Sequence, residues 1–324
     1  MKKFMLFLVA VTMLNCKGQE KKEVEKQVQE LQIVAEDLDS INLSSGTIKR
    51  VIEFPSEYVR PRNVDVWLPE GYSKDKKYAV LYMHDGQMLF DATTTWNKQE
   101  WKVDEVASQL MKDQKTLDFI VVAMWNHADI RHPNYYPQKP FESLPQKYRD
   151  SIVNVAKKQY GSDFKSPDSD SYLKFIVEEV KPYIDANYSV KTDTQNTFIS
   201  GSSMGGLISM YALCEYPNVF GGAACLSTHW PGITPYEGNP IPETFFKYLE
   251  EKLPSPKTHK VYFDYGTATL DKFYLPYQHR VDELLKLKGF DKSNSRNLKF
   301  EGHAHDEISW AKRLDIPLTF LMKK

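Results

Sequence analysis

Ser203 stands in the pentapeptide Gly201-Ser202-Ser203-Met204-Gly205, between the apolar run Asn196-Thr197-Phe198-Ile199-Ser200 and a helical pattern from Leu207 to Glu215. Read as strand, sharp turn and helix, this arrangement lifts one hydroxyl above a sheet with a helix N-terminus beneath it. The flanking glycines fit a strained turn with no room for a Cβ. A serine hydroxyl is a weak nucleophile near neutral pH, so it needs a base to take its proton and a third group to orient that base. Where a serine is presented on such a turn, the acid and then the histidine follow it in the chain. His303 and His305 lie in the segment Phe300 to Glu307, in a loop expected after the last short strand. Asp271 falls in the loop beyond the strand Val261 to Tyr265, where a carboxylate can reach an imidazole; Asp264 lies inside that strand and Asp282 in the next helix. Acyl transfer also needs two backbone N–H donors aimed at the developing oxyanion. Met204, next after the serine, supplies one. Gln87 supplies the other, in the loop His84-Asp85-Gly86-Gln87 that follows the strand Tyr78 to Met83. The side chains of His84 and Asp85 are expected to brace that loop.

These residues depend on elements that the apolar pattern predicts. Ile48 to Phe54 and Asn63 to Leu68 alternate as half-buried antiparallel strands do. Tyr78 to Met83 and Phe119 to Ala123 are continuous apolar runs, as in strands of a parallel sheet covered on both faces. Phe198 to Ser200, Ala223 to Leu226, Val261 to Tyr265 and Leu298 to Phe300 supply further short strands. Helical spacing marks Trp101 to Met111, Tyr172 to Ile184, Val281 to Leu287 and Ser309 to Leu314. Two antiparallel entry strands followed by alternating strands and helices imply one α/β domain with a mostly parallel sheet. Ligand sites in such sheets lie beyond the carboxyl ends of the strands, and every candidate above falls just after a strand. An insertion at about 126–170, rich in Pro, Tyr and Asp, reads as a lid or substrate wall.

Across its 324 residues the chain is 41% hydrophobic and 26% charged, with 42 basic against 43 acidic side chains. No net field favours nucleic acid or an anionic membrane, and a nucleic-acid partner is not expected. At the N-terminus, Met1-Lys2-Lys3 precedes the apolar stretch Phe4 to Leu14, too short to span a bilayer, and then Cys16. Residues 1–16 therefore read as an export signal, and Cys16 resembles the lipidation site of bacterial lipoproteins. Residues 17–46 read as a polar tether and 47–324 as the folded domain. The expected location is the periplasm or cell envelope, with a lipid as the only membrane attachment. Cys214 and Cys225 read as small buried side chains with free thiols.

Taken together the motifs resemble an esterase family of the α/β-hydrolases, the one that includes S-formylglutathione hydrolases, feruloyl and acetyl xylan esterases, siderophore esterases and mycolyltransferases. The likeness runs from about Thr47 to the C-terminus. It is carried by Leu81-Tyr82-Met83-His84-Asp85-Gly86-Gln87 with Phe90-Asp91, by Gly201-Ser202-Ser203-Met204-Gly205-Gly206, by Phe263-Asp264-Tyr265-Gly266-Thr267, and by His305-Asp306-Glu307 with Trp310. The resemblance implies an α/β-hydrolase fold, Ser203 as nucleophile, His305 rather than His303 as base, an acid shortly after Gly266-Thr267, and neither metal nor organic cofactor. Together with an export signal it points to an ester substrate: removal of acetyl or feruloyl groups from a polysaccharide or oligosaccharide. Tyr135, His229 and Trp230 are then candidates for the acyl or sugar pocket. A trilactone siderophore esterase is the alternative within the fold, with Arg131 and Arg149 meeting anionic catecholates. A non-catalytic carbohydrate-binding lipoprotein is the alternative outside enzymology.

Overall fold

Uninterrupted apolar runs become interior strands because both sheet faces are covered there. The computed structural model describes residues 33–38, 40–160 and 166–324, and Ala35 to Lys324 form one unit. Among the described residues, one sheet contains nine strands: β1 (Glu36–Asp37), β2 (Thr47–Phe54), β3 (Arg62–Leu68), β4 (Ala79–Met83), β5 (Phe119–Met124), β6 (Thr197–Ser202), β7 (Gly222–Leu226), β8 (Lys260–Gly266) and β9 (Ser295–Phe300). Their spatial order is β1-β2-β3-β5-β4-β6-β7-β8-β9. β1, β2 and β3 pair antiparallel, as do β3 and β5, whereas every pair from β5 to β9 is parallel. This is the mostly parallel α/β sheet that the alternation of strands and helices predicts.

Helices cover it: α1 (Val103–Lys112), α2 (Arg131–Tyr135), α3 (Gln138–Ser143), α4 (Gln146–Tyr160), α5 (Ser169–Lys174), α6 (Lys181–Asn187), α7 (Met204–Glu215), α8 (Ile241–Lys252), α9 (Leu275–Leu287), α10 (Glu307–Ala311) and α11 (Asp315–Met322). A π-helical stretch, Phe175–Val180, joins α5 to α6. On one face Leu110 of α1 and Leu318 of α11 join Leu81, Val121 and Phe198 in a single apolar core. α7 is buried from Met204 to Cys214, as befits a helix apolar on all sides. Cys214 and Cys225 are buried free thiols.

Two stretches differ from the sequence reading. Most of the described residues of the insertion are helical rather than irregular. Pro137 precedes α3, Pro140 lies in its first turn and Pro145 precedes α4, so proline breaks the region into short helices without preventing them. The second difference concerns the expected tether, whose last dozen residues belong to the fold. Glu36 and Asp37 pair with Arg50 and Lys49. Leu38, Ile41 and Leu43 pack on the core, and the Ser44 amide donates to the buried Asp104 carboxylate at 2.6 Å. Three apolar side chains scattered among polar ones, with strand pairing and hydrogen bonds to Asp91 and Asp104, dock this segment. Cys16 and residues 17–32 lie outside the described residues.

The turn from β6 to α7 positions Ser203. Its φ of 57° and ψ of −120° lie outside the regions an L-residue favours, a strain that only its surroundings can sustain. The Ser203 amide is held by the carbonyl of Leu226 at 3.0 Å. A Cβ on Gly201 would come within 2.8 Å of the Gly205 carbonyl carbon and oxygen, whereas one on Gly205 would find nothing nearer than 3.5 Å. Only the first of the two flanking glycines is sterically required. Gly201→Ala should therefore cost about 1–3 kcal/mol of stability, the usual cost of overpacking. Gly205→Ala should leave the unfolding midpoint unchanged or raise it; urea or thermal denaturation checks both.

Candidate active site

Parallel strands end at one edge of a sheet, and the loops there converge. Ser203 follows β6, Asp271 lies in the 3-10 turn Thr269–Phe273 after β8, and His305 follows β9. His305 Nδ1 and Asp271 Oδ1 are 2.5 Å apart. The other oxygen, Oδ2, accepts the Gly266 amide at 2.6 Å and the Ser227 hydroxyl at 2.5 Å. Burial of Asp271 works against its charge, but the hydrogen bonds from His305, Ser227 and Gly266 outweigh it and hold the carboxyl below its usual range. A carboxylate accepts, so Nδ1 carries the shared proton and Nε2 is left as an acceptor. The His305 ring stands edge-on to Trp310 and Tyr274, with centroids 5.1 and 5.9 Å away.

Ser203 is half-buried and borders a cleft of about 290 Å³. Met204, His229 and Leu270 share the cleft; α4 contributes Ile152, Val155 and Ala156, and the segment after Trp230 contributes Ile233 and Pro235. The His229 amide donates to the Ser203 carbonyl at 3.1 Å, and its ring Nδ1 lies 2.7 Å from the Tyr274 hydroxyl. Tyr274 in turn packs on His305, so one short relay of contacts joins the serine turn to the histidine loop. A larger cleft, about 610 Å³, opens at the amino ends of β4 and β5 beside Glu70, Tyr78 and Asp118, and contains none of these groups.

Met204 is the first residue of α7, where amides have no partner within the helix. Gln87 occupies the middle of the 3-10 turn Gly86–Met88, entered through Asp85 in a left-handed conformation at φ 58°. This loop lies against the start of α7: a Cβ on Gly205 would sit 3.5 Å from Asp85 Oδ2 and 3.6 Å from His84 Cβ. Asp85 is clamped by Arg131 through Nε and Nη2, both at 2.8 Å, and by Asn126 at 2.6 Å. Burial opposes the Asp85 charge, and Arg131 more than compensates, keeping the carboxyl below its usual range. His84 pairs with the Tyr172 hydroxyl at 2.8 Å. Both side chains hold the loop in place.

His303 takes a different direction from His305, its Nδ1 lying 3.2 Å from Arg313 Nη1. Of the pocket candidates, His229 lines the cleft, while Trp230 and Tyr135 do not. Trp230 is fully buried, with its ring 5.2 Å from Phe246 and 5.5 Å from Phe263. Tyr135 is fully buried too; its hydroxyl accepts the Asp85 amide at 3.2 Å and its ring packs on His84 and Tyr172. Both rings are large enough that filling the space behind the loops removes more apolar surface from water than lining a cleft would. Sequence reasoning missed Ser227 and Arg313, which carry no motif, and Trp96, which is 85% exposed on the loop between the 3-10 turn and α1. Among the described residues there is no group of three or more His, Cys, Asp or Glu placed to hold a metal, and no helix long and apolar enough to cross a membrane.

A model of the Esterase family, described as "Putative esterase", matches residues 56–315, and the chain belongs to that family. Its fold is that of the α/β-hydrolases, as in the solved structures it superposes on. Among curated proteins it is 25% identical over 279 residues to an endo-1,4-β-xylanase/feruloyl esterase of Xylanibacter ruminicola, covering 85% of this chain and 31% of that one. The chain thus spans about a third of that relative's length. A ferulic acid esterase of Anaeromyces mucronatus superposes with a TM-score of 0.57 at 21% identity, covering 89% of this chain and 95% of the other. An enterobactin esterase of Shigella flexneri gives 0.57 at 16% identity over 85% of this chain and 59% of its own.

Three histidines, two of them lining the cleft, are held neutral by burial: His84 and His229 are pushed down to about 3 and His132 to about 4. A depressed histidine binds its proton in the unfolded chain first, so its contribution to stability is lost as pH falls below about 6.5. His84→Gln removes one such group. The stability advantage of the unsubstituted protein over this variant should shrink by about 1.4 kcal/mol per pH unit between about pH 6 and pH 4, measured by denaturant titration at each pH.

Proposed function

We propose that this esterase is a serine carboxylesterase that removes aromatic acyl groups, of the feruloyl type, from a polysaccharide or oligosaccharide. The observation that carries the reading is the 2.5 Å pairing of Asp271 with His305 at the sheet edge where the strained turn presents Ser203. Ser203 Oγ attacks the ester carbonyl while His305 Nε2 takes its proton. The amides of Met204 and Gln87 receive the oxyanion, and Asp271 stabilises the imidazolium. Collapse of the tetrahedral intermediate returns the proton to the leaving alcohol, and water then cleaves the acyl-enzyme by the same route.

The cleft favours an aromatic over an acetyl group. It offers an apolar wall from Ile152, Val155, Ala156, Ile233 and Pro235, and polar groups from Arg131, His132 and His229. A two-carbon acyl group would leave most of it empty. The xylanase/feruloyl esterase and ferulic acid esterase among the relatives support the same direction. Against a trilactone siderophore, Arg131 reaches the cleft already matched by the Asp85 carboxylate, and Arg149 bonds Gln146 on its own helix at 2.6 Å. For the carbohydrate part, Trp96 offers a wide exposed ring. Its neighbour Asn97 donates to Glu307 at 2.9 Å, tying the loop to α10 directly after His305. Export and lipidation at Cys16 belong to the same proposal and rest on the sequence.

Ser203→Ala should abolish hydrolysis of p-nitrophenyl acetate with the fold intact, and retained activity would overturn the assignment. His305→Ala should lower kcat by about 10³-fold or more, with His303→Ala far milder. Trp96→Ala should reduce kcat/KM on feruloylated xylan about tenfold, through a stacking loss near 1.4 kcal/mol, yet leave p-nitrophenyl acetate unaffected. Steady-state kinetics on the two substrates separates these outcomes.

A further inference from the structure

Ser227 follows β7 directly and is fully buried, with φ of 42°, a left-handed conformation that an L-residue keeps only under constraint. Its hydroxyl oxygen lies 2.5 Å from Asp271 Oδ2, 2.8 Å from Arg313 Nη2 and 3.0 Å from Trp310 Nε1. Valence fixes the direction of every bond. An indole N–H and a guanidinium can only donate, so they occupy both lone pairs of the serine oxygen. The single hydroxyl proton is left with Asp271 as its acceptor.

Arg313 is itself 1% exposed. Its Nε and Nη2 lie 3.1 and 3.0 Å from the two oxygens of Asp264, its Nη1 faces His303, and Nη2 stands 4.0 Å from Asp271 Oδ2. Asp264 also accepts the Ser227 amide at 3.1 Å and the Tyr262 hydroxyl at 3.0 Å. The backbone and side chain of Ser227 are thus fixed by one buried ion pair. Such a pair is a weak device for stability, because removing both charges from water cancels most of their attraction; packed apolar residues would serve as well. What an apolar cluster cannot do is set the direction of a hydroxyl.

We propose that Ser227, aligned by Trp310 and Arg313, is a positioning residue that saturates Asp271 Oδ2 and so fixes Oδ1 on His305 Nδ1. The proposal rests on the reading of Ser203, His305 and Asp271 as the catalytic groups. With Gly266 and Ser227 on one oxygen, the carboxylate can neither rotate nor share its second oxygen with the imidazole. The titratable and charged groups facing the pair are His229 and Tyr274 beside His305, and Asp264 and Arg313 with His303 behind Ser227.

The test uses the full chain and a soluble p-nitrophenyl ester. Ser227→Gly removes the hydroxyl and relieves the left-handed backbone, which offsets part of the cost of leaving the Trp310 and Arg313 donors without that acceptor; Trp310→Phe keeps a ring and removes the N–H. Both should lower kcat by about ten- to a hundredfold, as loss of an outer partner of a reactive group does, with KM within about twofold. The acid limb of kcat/KM should move upward by about half a pH unit in Ser227→Gly, because a carboxylate deprived of a donor stabilises the imidazolium more. An unchanged kcat with an unmoved limb overturns the proposal. So does a loss of kcat that merely follows a lowered unfolding midpoint and leaves the limb in place. Ser203→Ala and Asp271→Asn are assayed alongside: if either keeps full activity, the catalytic assignment falls and the proposal with it, whereas inactive controls beside an unaffected Ser227→Gly overturn the positioning role alone.

Discussion

A carboxylate withdrawn from water must find donors or give up its charge, and the arrangement around Asp271 follows from that requirement. Three donors meet it, from the ends of three different loops: the Gly266 amide, the Ser227 hydroxyl and the His305 ring. Each belongs to a different strand terminus, so the carboxylate also ties together the edge of the sheet formed by β7, β8 and β9. The same bonds that keep it ionised fix the tautomer of His305. Electrostatics and geometry are satisfied by one set of contacts.

Around that centre the fold supplies position rather than chemistry. Parallel pairing of β4, β6, β7, β8 and β9 brings all the carboxyl ends to one side. β7, lying between β6 and β8, anchors Ser203 through the carbonyl of Leu226 and presents Ser227 toward Asp271. The insertion then closes one side of the cleft with α4, and Arg131 from α2 locks the loop that carries Gln87 by gripping Asp85.

What could be read from the sequence divides along a physical line. The serine turn is a local event: strand, glycine, strained residue and helix lie within about ten positions, and each leaves a mark in residue type. Asp271 was legible for a similar reason, since a strand end can be recognised and Asp264 lies inside one. Trp230 and Tyr135 were misplaced because an aromatic side chain in a loop carries no mark of which way it turns; that is decided by distant partners such as Phe263 and Tyr172. Ser227 and Arg313 stand 86 residues apart, and neither spacing nor composition predicts their meeting. Segment 126–170 reads as irregular because its prolines interrupt helical periodicity, although α2, α3 and α4 lie within it.

If the proposed ester hydrolysis holds, the bond between Arg131 and Asp85 bears on turnover as well as on loop geometry. Ester hydrolysis leaves a neutral alcohol and an acid that ionises at neutral pH. An uncompensated guanidinium beside the scissile bond would cling to that anion and make departure slow. Here the cation faces its own internal counter-ion, and the buried histidines nearby stay uncharged. On the proposed reaction, the cleft would greet the uncharged ester and its anionic remnant with little preference, and the spent acyl fragment could diffuse away.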